Sequence, residues 1–156
     1  MVVLWAGRHQ RRGWDQLCTE YRERIQRFLP VREVVLKVKE GGSEGDRQRA
    51  EGQALLAALP KPSWTIALDR RGEMLSSEAL AERLAKLKRE WPHAVAFVLG
   101  SDLGLAEEVR QNARLVWSFG PLTLPHELAR LVLYEQLYRA LSIDAGINYH
   151  RRQFSP

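Results

Sequence analysis

Apolar positions along the chain fall into two alternating patterns. Short apolar-rich runs at Val2–Ala6, 31–38, 64–68, Ala94–Leu99 and Leu115–Ser118 predict strands. Ala94–Leu99 is unbroken, as expected of a central strand covered on both faces. Between these runs the apolar spacing changes to three and four. Trp14, Leu17, Cys18, Tyr21, Ile25 and Phe28 share one face of a predicted helix that Pro30 stops. Residues 44–59 predict a second helix, closed by Pro60 and Pro62. Leu80, Leu84, Leu87 and Trp91 form the stripe of a third, with Ser76 or Ser77 as its N-cap and Pro92 at its end. A short helix is expected around 106–113, and Pro125 suits the first turn of a long last helix reaching about Ile143. Loops fall at 41–43, 69–72, 100–104 and 119–124. Alternating strands and helices predict an α/β domain, a mostly parallel sheet with helices on both faces. There is no internal repeat or linker, so residues 1–156 read as a single domain.

The last helix is unusual. Leu128, Leu131, Val132, Leu133, Tyr134, Leu137, Tyr138, Ala140 and Leu141 cover far more than one stripe. Such a helix needs two covering surfaces. One is its own sheet; the other is either a second copy of the chain or the interior of a crowded monomer.

Composition narrows the class. Hydrophobic residues at 45% and charged residues at 28% exclude a disordered or collagen-like chain. The net charge of +5 permits a polyanionic partner without requiring one. The single cysteine, Cys18, excludes an internal disulfide framework and a cysteine-rich zinc site, and it fits a reducing compartment. The apolar run at the N-terminus is short and Arg8 follows it directly, unlike a signal peptide. No stretch approaches the ~18 apolar residues of a membrane span. A soluble cytoplasmic protein without a membrane association is expected.

Several chemistries lack their residues. His126-Glu127 followed by Arg130 is not a His-Glu-x-x-His zinc motif, and the histidines at 9, 93, 126 and 150 are scattered, so no metal is expected. Ser101 directly follows Gly100 and does not sit centred between glycines as a nucleophile elbow requires. A phosphate-cradling glycine loop is missing, which weighs against a nucleotide hydrolase. What remains is three loops at the carboxyl ends of successive strands, where open α/β sheets bind ligands. Gly100, Gly104 and Gly120 allow close backbone approach there beside Leu68, Leu122 and Leu124, which suits a neutral heterocycle such as adenine. Simple turn glycines are the plainer alternative. Residues 1–28 hold six arginines and three acids. Arg8, Arg11 and Arg12 next to Trp14 suit RNA, through phosphate contact and base stacking, or form an ordinary solvated loop.

The stretch Trp117-Ser-Phe-Gly-Pro-Leu-Thr-Leu-Pro-His-Glu-Leu-Ala-Arg-Leu-Val-Leu-Tyr-Glu-Gln-Leu-Tyr-Arg-Ala-Leu-Ser-Ile, followed by Asn148-Tyr149-His150-Arg151, resembles the ribosomal large subunit methyltransferase H family of the SPOUT methyltransferases. The resemblance extends over nearly the whole chain and is strongest from 94 to 152. It implies a C-terminal trefoil knot, which ordinary chains almost never form. It also implies a homodimer, the cofactor S-adenosylmethionine, and methylation of ring nitrogen 3 of a pseudouridine in large-subunit ribosomal RNA on the assembled ribosome. The family's cofactor positions carry over onto Leu68, Gly100, Phe119, Gly120, Pro121, Leu122, Thr123 and Leu124. Where the family commonly has Gly-Gly-x-acid-Gly, this chain has Gly100-Ser101-Asp102-Leu103-Gly104: a serine replaces the second glycine and the acid comes one position early. Pro121 removes a backbone donor from the cofactor loop.

In-line attack of a ring nitrogen on a sulfonium methyl group chiefly needs alignment and loss of the imide proton. His150, Arg139 and Arg151 are the candidates for assisting that loss, and Tyr149 for holding the base. Glu135 lies four residues before Arg139, the spacing of an orienting ion pair. The tail 149–151 is expected to fold over a cofactor pocket, that of the partner subunit. A non-catalytic RNA-binding or ribosome-associated α/β module is the rival reading.

Overall fold

A computed structural model describes residues 1–7, 12–37 and 41–149. Five parallel strands form one sheet: β1 (Val2–Ala6), β2 (Arg32–Leu36), β3 (Ser63–Met74), β4 (Ala94–Leu99) and β5 (Leu115–Ser118). Their order across the sheet is β2-β1-β4-β3-β5. The helices are α1 (Arg12–Gln26), α2 (Glu44–Ala58), α3 (Ser77–Glu90), α4 (Glu107–Asn112) and α5 (His126–Asp144).

Each crossover places its helix on a face of the sheet, and the alternation within strands divides the core in two. Val3, Trp5, Ile66, Phe97, Leu99 and Trp117 face one side with Cys18 and Ile25 of α1, Leu80 and Leu84 of α3, and Leu133 and Leu137 of α5. Val2, Leu4, Ala6, Ala67, Ala96 and Val98 face the other with Leu55 of α2 and Val109 of α4. Burial of both faces explains why β4 is an unbroken apolar run. Ser76, not Ser77, caps α3, accepting the Ala79 amide at 3.1 Å. Ser43 does the same for α2 through the Asp46 amide.

Three expectations change. Residues 69–72 do not end β3, because the strand continues to Met74. Leu68 and Glu73 both pair with Trp117 of β5, so the four residues between them are extruded as a bulge. A Cβ on Gly72 would lie 2.5 Å from the Val116 carbonyl carbon, so glycine lets the returning strand touch β5. Leu17 is 41% exposed despite sharing the apolar spacing of α1. Phe28 lies beyond the end of α1, though it packs against the same core.

The apolar circumference of α5 is accounted for only in part. Leu133, Tyr134, Leu137, Ala140 and Leu141 are buried within the chain, between α1, α3 and the sheet. Leu128, Leu131 and Val132 remain half-buried. A polar network also crosses the interior at this helix. Arg130, 2% exposed, lies over the Trp5 ring, donates to Glu33 at 2.9 Å and pairs with Asp15. Glu33 also accepts from Trp5 Nε1, Arg22 and Tyr134. A buried guanidinium is tolerable because carboxylates on two other elements neutralise it. The network thereby fixes α5 against α1 and β2.

Candidate cofactor and active site

The bulge within β3 and the loops after β4 and β5 converge on one cavity of about 760 Å³ at the carboxyl edge of the sheet. That is within the usual range for a small-molecule site. Leu68, Gly100, Phe119, Gly120, Leu122, Thr123 and Leu124 all line it. Pro121 stands exposed within the same loop without lining the cavity.

Each wall is held by named contacts. After β5, Ser118 Oγ accepts the Gly120 amide at 3.0 Å and donates to the Gly120 carbonyl at 3.0 Å, and Gly120 takes a φ of +113°. Phe119 meets the Trp117 ring edge to face at 4.8 Å. After β4, the Gly104 amide bonds the Ser101 carbonyl at 3.0 Å, closing a tight turn with Gly104 at φ +73°. Ser101 Oγ donates to Glu51 of α2 at 2.7 Å and accepts the Leu103 amide at 3.2 Å. Serine in place of the family's second glycine therefore anchors the loop to α2. Burial pushes the Glu51 carboxyl above its ordinary range, and the bonds from Ser101 oppose that rise. Gln48 Nε2 adds a bond to the Leu103 carbonyl at 2.7 Å. Between the β3 and β4 loops, Arg110 of α4 donates to Asp69 at 3.1 Å and to the Leu105 carbonyl.

Three residues lining the cavity carry a buried polar atom without a hydrogen-bond partner: Trp117 Nε1, His126 Nε2 and Glu127 Oε1. Unpartnered buried polar atoms are rare, since each costs about 1–3 kcal/mol. An amphiphilic ligand bearing donors and acceptors fits such a wall. S-Adenosylmethionine, with a heterocycle, ribose hydroxyls, an ammonium and a carboxylate, has that chemistry.

A second constellation lies along α5. Glu135 Oε1 accepts from Arg139 Nη2 at 2.5 Å and Nε at 3.1 Å. The Tyr149 ring receives the Arg139 guanidinium at 5.1 Å, and its hydroxyl lies 3.4 Å from Glu135 and 3.3 Å from the Tyr21 hydroxyl. Burial, the Tyr21 hydroxyl and the Glu135 charge push the Tyr149 hydroxyl pKa upward against the opposing charge of Arg139, so it stays protonated. Tyr149 also meets Tyr138 edge to face at 4.7 Å. Glu135 and Arg139 thus come together as the spacing predicts, while Tyr149, expected over a cofactor pocket, packs against this pair within its own chain. None of them lines the cavity. The lining residues of α5 end at Ala129, and the six to ten residues to Glu135 and Arg139 rise roughly 9–15 Å along the helix.

Of the remaining candidates, Arg12 opens α1, and Trp14 lies half-buried in its first turn, away from the cavity. Arg8, Arg11, His150 and Arg151 lie outside the described residues. Sequence reasoning missed Gln48, Asp69, Arg110, Trp117, His126 and Glu127. Asp69 directly follows the apolar run 64–68 at the ligand-binding edge, which is a usable signal. Gln48 reaches the site only because α2 packs beside the β4 loop, and nothing in its local sequence says so. Among the described residues no group of His, Cys, Asp and Glu is placed to hold a metal ion, and no helix is long and apolar enough to cross a membrane.

A parallel sheet with a cavity of mixed apolar and polar lining at its carboxyl edge defines an α/β ligand-binding domain of enzyme type. The chain belongs to the SPOUT methyltransferase family: the family model described as "Predicted SPOUT methyltransferase" matches residues 1–150. It is 47% identical over 151 residues to the ribosomal RNA large subunit methyltransferase H of Rhodospirillum centenum, covering 95% of this chain and 98% of that protein. The structure of a probable methylase family protein from Haemophilus influenzae shares the fold at a TM-score of 0.53 and 11% identity, covering 95% of this chain and 69% of that one. The SpoU methyltransferase AviRb from Streptomyces viridochromogenes, solved with AdoMet, aligns at 12% identity and a TM-score of 0.48, over 94% of this chain and 58% of that longer one.

Proposed function

We propose that this protein methylates large-subunit ribosomal RNA, with S-adenosylmethionine as donor and ring nitrogen 3 of a pseudouridine on the assembled ribosome as acceptor. The observation that carries the reading is the convergence of Leu68, Gly100 and the 119–124 loop on one cavity with unpartnered polar atoms in its wall. The donor supplies an electrophilic methyl group on a positively charged sulfur. The protein's tasks are to hold that donor, align the ring nitrogen behind the methyl carbon and assist loss of the imide proton. Glu135 orients Arg139, whose charge stabilises the nitrogen anion. His150 accepts the proton, Tyr149 supports the base and Arg151 holds a phosphate. Arg8, Arg11, Arg12 and Trp14 serve as an outlying RNA contact, and the site of action is the cytoplasm.

Separation of the Glu135–Arg139–Tyr149 cluster from the cavity supports a homodimer. In that arrangement the tail of one copy completes the pocket of the other. Half-buried Leu128, Leu131 and Val132 on α5, with Leu122 74% exposed at the cavity rim, supply an apolar surface for the pairing. The same reading includes a knotted C-terminal segment.

Titration calorimetry with S-adenosylmethionine tests the reading: binding is expected, and none would contradict it. Trp117→Phe keeps an aromatic ring against Phe119 while deleting the unpartnered N–H. Affinity for the cofactor is expected to fall about tenfold, the value of one hydrogen bond to an otherwise orphaned donor. Unchanged affinity in that variant would remove Trp117 from the ligand contacts.

A further inference from the structure

We propose that the bulge after Leu68 is the RNA-phosphate contact of the cavity mouth, with Arg70 and Arg71 as its two guanidinium groups. The inference rests on the reading of the chain as an RNA methyltransferase and places a new contact within it.

Pairing of both Leu68 and Glu73 with Trp117 forces the intervening residues out of the sheet. The extruded backbone makes local contacts of its own. Asp69 Oδ1 accepts the Arg71 amide at 3.0 Å, and Ser118 Oγ lies within hydrogen-bonding reach of the Arg70 carbonyl at 3.3 Å. Gly72 seats the returning chain against the Val116 backbone. Arg70 and Arg71 are both exposed, and both line the cavity. Neither forms an ion pair among the described residues.

The neighbouring acids form their ion pairs with other residues, although Arg110, helped by the Arg71 charge, holds the Glu107 carboxyl below its ordinary range. Asp69 Oδ2 takes Arg110 at 3.1 Å, and Arg110 also pairs with Glu107. Glu73 pairs with Arg83 at 2.5 Å. Asp102 lines the cavity too, on the β4 loop, so the positive charge is confined to the bulge side. Two guanidinium forks on the bulge, exposed and without an ion-pair contact among the described residues at the mouth of a methyl-donor site, match the phosphates flanking a nucleotide whose base enters the cavity. Guanidinium suits that task because it meets phosphate with paired donors.

The test uses the full chain, its Arg70→Gln/Arg71→Gln double variant and a double Arg→Lys control. Dissociation constants for unmethylated ribosomes are measured over a range of KCl concentrations, alongside S-adenosylmethionine affinity and sedimentation. Loss of two phosphate contacts should flatten the log–log salt dependence by about 1.4 to 1.8. The lysine control should retain most of the slope, and cofactor affinity and oligomeric state should match the wild type. An unchanged slope would show two solvated arginines and overturn the proposal. So would a collapse of cofactor affinity, which would assign them to the donor's carboxylate, or a changed oligomeric state, which would assign them to a subunit contact. A wild-type chain that binds no ribosome would remove the RNA reading itself, and this contact with it.

Discussion

Arg139→Ala is expected to bind S-adenosylmethionine normally and to transfer methyl groups two to four orders of magnitude more slowly. The cofactor half of this expectation follows from position: Arg139 lies beyond the part of α5 that lines the cavity. The kinetic half follows from its environment. Glu135 holds the guanidinium through Nε and Nη2, and the Tyr149 ring covers it at 5.1 Å. A charge so restrained needs little reorganisation to stabilise a developing nitrogen anion. Preorganised electrostatic and proton-transfer contributions are each worth roughly 10²–10⁴ in rate. Arg139→Lys should recover part of the loss, since it keeps the charge and loses the planar fork. Thermal unfolding should also shift downward, because Arg139 and Glu135 are only 12% and 19% exposed and truncation removes one partner of that pair, so turnover is compared below the variant's unfolding transition. A turnover within threefold of wild type for Arg139→Ala would take this cluster out of the reaction.

Gly100→Val should abolish measurable cofactor binding, a loss of at least about a hundredfold. Close backbone approach of Gly100 to a ligand, as the sequence suggests, would make a branched side chain occupy ligand space. The structure gives a different cause. A Cβ at position 100 would stand 2.6 Å from the Gly104 carbonyl carbon, 2.7 Å from its oxygen and 2.9 Å from the Leu105 nitrogen. Backbone atoms cannot rotate aside, so the 101–105 loop must move. That movement would disturb the Ser101–Glu51 and Gln48–Leu103 bonds that fix the wall. Gly100→Ala introduces the same clash with fewer atoms and should be intermediate. Calorimetry decides it: wild-type affinity in the valine variant would place the cofactor elsewhere.

The strands and helices were legible because each crossover buries a face whose apolar spacing shows its period. β4 reads as central since both of its faces are covered, and Pro30, Pro60 and Pro92 mark the ends of helical segments. The β3 bulge was illegible for an equally physical reason. Asp69-Arg70-Arg71-Gly72 has turn chemistry, and its return to the sheet depends on the backbone of β5, more than forty residues later. The exposure of Leu17 likewise depends on how far the neighbouring elements reach, which spacing along α1 does not encode. At the site, the glycines and the 119–124 loop were found because they follow strand ends. Trp117 resembles ordinary strand core until its N–H is seen without a partner in the cavity wall. Arg139 and Glu135 were found by their helical spacing. Their distance from the cavity appears only in three dimensions, because spacing along α5 does not say where the cavity-lining part of the helix ends.

The central claim is tested most directly by incubating the purified protein with unmethylated ribosomes and S-adenosylmethionine carrying an isotopically labelled methyl group, then digesting the large-subunit RNA to nucleosides for mass spectrometry. The account predicts one labelled product, a pseudouridine bearing the methyl group on ring nitrogen 3. Label on a different atom or nucleoside, or none in the RNA while the cofactor binds normally, would contradict it.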